Sequence, residues 1–257
     1  MRNEYYWREK EERESRALVH TKYMDTKYSE EIKNCISNTR MYRGNDINII
    51  NSVGSTNDIT IEPLDTVSAI IKYKDYDNLA ALNFSSYKNP GGMFLKGSKA
   101  QEECLCHSSF LYNVLREFQT HFYDKNCNDK NRAMYRDNAL FSPHIIFEKD
   151  IKVAQSAIIT CAAPNKFAGQ KYAGVTDSEN YKVLKNRIKF VLDVAADNEV
   201  KTLILGAYGC GVFGQDPNEV SCLFKEYLNN YAFDKVVFAI PIGNNRNFES
   251  FRKVFDC

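Results

Sequence analysis

A three-layer α/β/α sandwich, with a mixed central sheet and an N-terminal helical extension, is the fold that this sequence predicts. Two observations lead to it. Short apolar or β-branched runs recur at Ile59–Ile61, Leu79–Phe84, Ala157–Thr160, Thr202–Leu205 and Val236–Ile240. Each has the length of a strand buried on both faces. Between them lie segments with helical spacing, which places helices on both faces of the sheet.

The clearest helix carries Tyr181, Leu184, Ile188, Val191, Leu192 and Ala195 on one stripe. A second carries Val220, Leu223, Phe224 and Leu228, and a third Phe248, Phe251, Val254 and Phe255. The first forty or so residues read as helical and highly charged. Trp7, Leu18 and Met24 give that segment few anchors, and Ile32, Cys35 and Ile36 a better apolar stripe. Residues 1–45 are therefore expected to form an extension packed on a main domain of residues 46–257.

Bulk properties bound the function. The 257 residues carry 34 basic and 33 acidic side chains, a formal net charge of +1. No global field draws the chain to DNA or to an anionic membrane, so neither is expected as a partner. An anionic ligand would have to be held locally, by backbone donors or a few side chains. The N-terminal residues contain no apolar run, and no stretch approaches the roughly 18–20 apolar residues of a membrane span. The eight cysteines are scattered without the spacing of a disulfide framework. The expectation is a soluble cytoplasmic protein with reduced thiols.

In an open α/β sheet, ligands bind beyond the carboxyl ends of the strands. The loops after Phe84, Thr160 and Leu205 are therefore the places to search. After the first comes Asn89-Pro90-Gly91-Gly92, a turn whose glycines permit positive φ and close backbone approach. A single helix is expected next, with Gln101, Glu102 and Glu103 in its first turn and Ala100, Cys104, Leu111, Val114, Leu115 and Phe118 on its apolar face. Gly92-x4-Gly97-Ser98-Lys99 lacks the Gly-Lys-Ser/Thr order of a nucleotide-triphosphate loop. Cys104-Leu105-Cys106-His107 has no second ligand pair, so no metal is expected.

After the strand Thr202–Leu205 comes Gly206-Ala207-Tyr208-Gly209-Cys210-Gly211-Val212-Phe213-Gly214, followed by Asp216-Pro217 as N-cap and first helical residue. A glycine-rich loop feeding a helix start offers unpaired N–H groups to an anion. Cys210 has no identifiable partner histidine and reads as structural. The third loop, Thr160-Cys161-Ala162-Ala163-Pro164-Asn165, reads as pocket wall.

The combination of Asn83-Phe84-Ser85, Asn89-Pro90-Gly91-Gly92 and Gln101-Glu102-Glu103 resembles the signature of the bacterial-type poly(ADP-ribose) glycohydrolases, a macrodomain family. That family carries a triple-glycine loop followed by Gln-Glu-Glu. The second loop is similar to its Gly-Ala-x-Gly-Cys-Gly-Val-Phe segment, and the resemblance runs over nearly the whole chain. One departure is Met93, which stands where the family has its third glycine and its backbone nears the diphosphate.

The resemblance implies a macrodomain-like catalytic domain that hydrolyses ribose–ribose O-glycosidic bonds, mainly from chain ends. Poly(ADP-ribose) or an ADP-ribosylated protein is the implied substrate, ADP-ribose the product, and no cofactor is implied. Glu103 is the implied acid/base, and Glu102 orients the ribose hydroxyls. Substrate contacts fall to Asn83, Asn89, Gly91, Gly92, Gln101, Ala207, Gly209, Cys210, Gly211, Val212 and Phe213, with Phe213 near the ribose beside the scissile bond. Since neighbouring helix residues diverge by about 100°, the two glutamates are expected to meet different parts of the substrate. Two other readings share these loops: a non-catalytic ADP-ribose reader, and a hydrolase of mono-ADP-ribosylated protein or O-acetyl-ADP-ribose. The acidic pair favours the enzyme.

Overall fold

The structure is a computed structural model that describes residues 2–44, 46, 47, 54–243 and 245–256. Residue 45, where the extension was expected to end, and Cys257 lie outside the described residues. In chain order the elements are α1 (Arg2–Lys27), α2 (Ser29–Asn38), β1 (Arg40–Arg43), β2 (Ile59–Glu62), α3 (Thr66–Lys72) and β3 (Leu79–Phe84). Three short helices follow, α4 (Gln101–His107), α5 (Leu111–Leu115) and α6 (Asp124–Asn128), with a π-helical turn at Gln119–Tyr123. The remainder is β4 (Asn138–Lys149), β5 (Lys152–Cys161), α7 (Lys166–Ala173), α8 (Asp177–Asp197), β6 (Thr202–Leu205), α9 (Pro217–Leu228), β7 (Lys235–Ala239) and α10 (Asn245–Phe255).

Among the described residues the strands form one mixed sheet in the order β1-β4-β5-β3-β6-β7-β2. The run from β5 to β2 is parallel, and β4 and β1 add antiparallel pairs at one side. Successive side chains of a strand point to opposite faces, and this alternation builds two cores. Ala80, Leu82, Leu203, Leu205, Val236 and Phe238 face α8, α9 and α10. Leu79, Ala81, Ile204 and Val237 face α3 and the helices α1, α2, α4 and α5. The predicted three-layer sandwich is therefore present.

Two strands and one helix differ from the sequence expectation. β4 is hidden in the sequence by Pro143-His144, which fall at a register shift between Ser142 and Ile145, with His144 at φ 58. Such a bulge breaks the alternation that marks a strand. β1 is a polar edge strand with only Tyr42 buried. The single helix expected after Gln101 ends at His107. The Ser109 hydroxyl donates to Leu105 O and accepts from Leu111 N, while the Ser109 backbone bridges to Phe147. That alternative bonding turns the chain. Cys104, expected on the apolar face, is exposed, and Leu105 and Cys106 are buried in its place.

The N-terminal segment is tied to the rest at several points. β1 pairs with β4. On α1, Trp7 and Leu18 are exposed, whereas Ala17 and Met24 are fully buried. Arg13 Nε donates to Gly97 O at 2.8 Å. A Cβ at Gly97 would lie 2.4 Å from Lys10 O, so α1 presses on the loop that precedes α4.

Arg187 of α8 is fully buried. It is paired with Asp137 and donates to the carbonyls of Ala162 and Met134, which joins α8 to the end of β5 and to the segment before β4. Arg187→Leu leaves these acceptors unmet and is expected to destabilise the fold by about 3 kcal/mol. Urea denaturation of the two proteins measures it, and a loss below about 1 kcal/mol would contradict the account.

Candidate active site

The five parallel strands point their carboxyl ends at one edge of the sheet, and a cavity of about 710 Å³ opens there. Strand order decides which loops meet. β3 and β6 are neighbours, so the two glycine-rich loops that follow them lie side by side despite their separation in sequence. The start of α3 and the segment after β7 close one end of the cavity, and the segment after β5 closes the other.

The first glycine loop presses on the acidic turn of α4. Gly92 N donates to Asn89 O, and Gly91 and Gly92 have φ of +65° and +62°. A Cβ at Gly92 would lie 2.6 Å from Glu103 Oε1 and 2.8 Å from Glu102 Oε2. Glycine is thus required there by conformation and by space. The same contact brings the two carboxyl groups near one glycine. Their Cα–Cβ bonds diverge, yet both carboxyl groups bend back to the same glycine.

Each carboxyl has its own partners. Glu102 accepts from Ser86 N at 2.7 Å and from Asn83 Nδ2 at 3.2 Å. Burial pushes its carboxyl up to about 8, against the pull of those two donors. Glu103 Oε1 accepts from Met93 N at 2.8 Å, and its buried Oε2 has no partner among the described residues. Gln101 seats the turn that carries them. Its Oε1 accepts from Phe84 N, and its Nε2 donates to Leu82 O and Thr66 Oγ1.

Met93 has φ −109°, so this position does not need a glycine conformation. Its N–H serves Glu103, and its side chain sits half-exposed on the cavity wall.

The second glycine loop supplies donors. Among the described residues, the N–H groups of Gly211, Val212 and Phe213 have no protein acceptor. A Cβ at Gly211 would meet no atom within 4 Å, which leaves that face of the loop open to a ligand. The loop is braced from behind: Gln215 Nε2 donates to Pro164 O and Asn180 Oδ1, and Phe167 N donates to Phe213 O. Asp216 caps α9, accepting from Asn218 N. Cys210 does not line the cavity; burial pushes its thiol far above the ordinary range, as suits a structural residue.

Glu102, Glu103, Gly92, Gln101, Ala207, Gly209, Gly211, Val212 and Phe213 all line the cavity. Asn83 lies beneath it, fully buried, holding Glu102 and bonded to Thr160 Oγ1. Gly91 backs onto Tyr112 and Cys106, and Asn89 forms the outer corner of the turn. Ala163 and Asn165 are indeed wall. Sequence reasoning missed Lys88 and Lys99, the α3 start at Asp65 and Thr66, and Ile240, Pro241 and Asn247 after β7. The VVFAIP run was the available signal for the last group. Among the described residues no cluster of His, Cys, Asp or Glu is placed to hold a metal.

Residues 12–150 match the family model described as the catalytic domain of microbial-type PARG. The fold superposes on poly(ADP-ribose) glycohydrolase from Thermomonospora curvata bound to the inhibitor ADP-HPD, with a TM-score of 0.84 and 28% identity over 95% of this chain and 100% of that one. It also superposes on the Deinococcus radiodurans enzyme in complex with ADP-ribose, with a TM-score of 0.81 and 31% identity over 88% of this chain and 98% of that one. A comparison with curated proteins finds no match.

The raised carboxyl of Glu102 makes stability depend on pH. The folded state holds that proton up to about 8, whereas the ordinary value is 4.5. Its contribution is complete below about pH 4.5 and is lost as pH rises through 8, at about 1.4 kcal/mol per pH unit within that window. Glu102→Gln removes this dependence. Its melting temperature is expected to exceed that of the parent at pH 8, with the gap closing towards pH 5. Calorimetry across that range checks it, and a constant gap would refute the assignment.

Proposed function

This chain belongs to the microbial-type poly(ADP-ribose) glycohydrolases, and from that premise we propose how its residues divide the work of the reaction. It is a glycosidase that hydrolyses poly(ADP-ribose). The observation that carries the division of labour is the meeting of two unlike carboxyl groups at Gly92, beside a loop with open N–H groups.

The diphosphate of one ADP-ribose unit rests on the N–H groups of Gly211, Val212 and Phe213. Oriented amides hold it without a strong basic cluster, with Lys88 and Lys99 adding charge at the wall. The adenine takes the end formed by Val67 and Ile240, and the ribose at the scissile bond lies against Phe213 and the glutamates. A cavity of about 710 Å³ suits one such unit, which favours cleavage from chain ends. Anchoring the diphosphate fixes the anomeric carbon and supplies the positional part of catalysis.

Glu103 is the acid and base, because its Oε2 has no protein partner to compete with the substrate. Its proton passes to the leaving ribose oxygen as the C–O bond breaks. Positive charge develops at the anomeric carbon, water attacks there, and Glu103 takes the water's proton. Glu102, neutral below about pH 8 and held by Asn83 and Ser86, presents its carboxyl to the ribose hydroxyls. The free cysteines among the described residues support a reducing, cytoplasmic compartment. No described helix is long and apolar enough to cross a membrane.

Glu103→Gln is expected to keep ADP-ribose affinity within about threefold and to lower the release of ADP-ribose from polymer at least 1000-fold, the scale of losing an essential proton-transfer group. Chromatography of the products and calorimetry with ADP-ribose read the two quantities. Retained turnover would remove Glu103 from its role. An ADP-ribose binder whose parent form releases nothing would point to the reader instead.

A further inference from the structure

A second, smaller pocket shares one wall with the catalytic cavity. Tyr87 lines both. The smaller one, of about 200 Å³, is also lined by Arg43, His121, Lys125 and Arg136. Among the described residues Asp129 is its one carboxylate, and it is engaged by Arg136 Nε at 2.9 Å. Lys125 has no acceptor among the described residues. In a chain of net charge +1, three permanent cations around one small depression mark a local anion site.

The wall between the two spaces is rigid. Tyr87 stacks on Tyr135 with centroids 4.2 Å apart, and Tyr135 meets Phe213 edge-on at 6.1 Å. The Tyr87 hydroxyl donates to Asp129 O and accepts from Arg136 N, and Asn126 Nδ2 donates to Tyr87 O. Two unusual backbone features hold this region. His121 and Phe122 belong to the π-helical turn, a geometry that recurs at functional sites. Asn131, Arg132, Ala133 and Tyr135 all have positive φ. Strain of this kind persists only where the surroundings over-determine it, and it clusters at ligand sites.

We propose that this pocket holds a phosphate of the ADP-ribose unit on the leaving side of the scissile bond. The inference rests on the glycohydrolase reading, in which Phe213 packs beside the ribose that is cleaved. From that ribose the aromatic row Phe213–Tyr135–Tyr87 leads directly to the cations. The departing unit carries a diphosphate, and its charge meets those cations once the chain has passed Tyr87. The pocket thereby adds affinity for polymer and none for free ADP-ribose, which occupies the main cavity alone.

The test uses the full chain carrying Glu103→Gln, so that polymer persists, with Lys125→Glu and Lys125→Gln added separately. Kd is measured for purified poly(ADP-ribose), for ADP-ribose and for a single-stranded RNA of matched charge. Lys125→Glu is expected to weaken polymer binding at least fivefold and to flatten its salt dependence. ADP-ribose affinity should stay within twofold, with Lys125→Gln intermediate on polymer. An unchanged ratio of polymer to ADP-ribose affinity overturns the proposal. Equal losses for polymer and RNA also overturn it, since they mark a non-specific polyanion surface. Failure of the glycohydrolase reading shows elsewhere: the parent protein would then release no ADP-ribose from polymer.

Discussion

Everything at the site hangs from the side-chain amide of Gln101. β6 pairs with β3 only as far as Ala81. The next backbone groups along β3, Leu82 O and Phe84 N, are taken up by Gln101 Nε2 and Oε1. One carboxamide thus continues the ladder where a strand has stopped. Buried backbone groups must find partners, so this pairing fixes the start of α4 against the end of β3. The two glutamates that follow are then confined to the cavity and to the space that Gly92 leaves them.

The electrostatics follow from that confinement. Two carboxyl groups meet at one glycine inside the protein, and they are made unlike by their donors. Glu102 is surrounded by Ser86 and Asn83, whereas Glu103 keeps one oxygen uncommitted. Burial favours the neutral form of Glu102, which lowers the cost of placing its neighbour beside an anionic ligand. Ligand charge is met by oriented amides of the second glycine loop, which fits a surface with almost balanced charge.

Much of this was legible in the sequence because it depends on local pattern. Leu79–Phe84, apolar but for Asn83, and Thr202–Leu205, apolar but for Thr202, are short runs bounded by turn residues, and both appear as strands with those limits. The glycine turns and the Asp216-Pro217 helix start are likewise local. What was not legible depends on contacts between distant segments. β4 is masked by a bulge at Pro143-His144. The cavity walls at Asp65 and Ile240 exist only because β2 pairs with β7 at the sheet edge. That both carboxyl groups of Glu102 and Glu103 reach Gly92 is not encoded in helical spacing, which sets only the directions of their Cα–Cβ bonds.

The close packing of α1 on Gly97 limits what can stand at that position. A methyl group at position 97 would collide with the carbonyl of Lys10, so the glycine and the helix constrain each other. Loss of α1 would lift the collision but not the left-handed φ of +67° at Gly97, so glycine stays favoured there on conformation alone. A chain that keeps α1 cannot vary there without first shifting the helix. The amino-terminal helix thus adds a spatial demand to a loop residue whose backbone already calls for glycine.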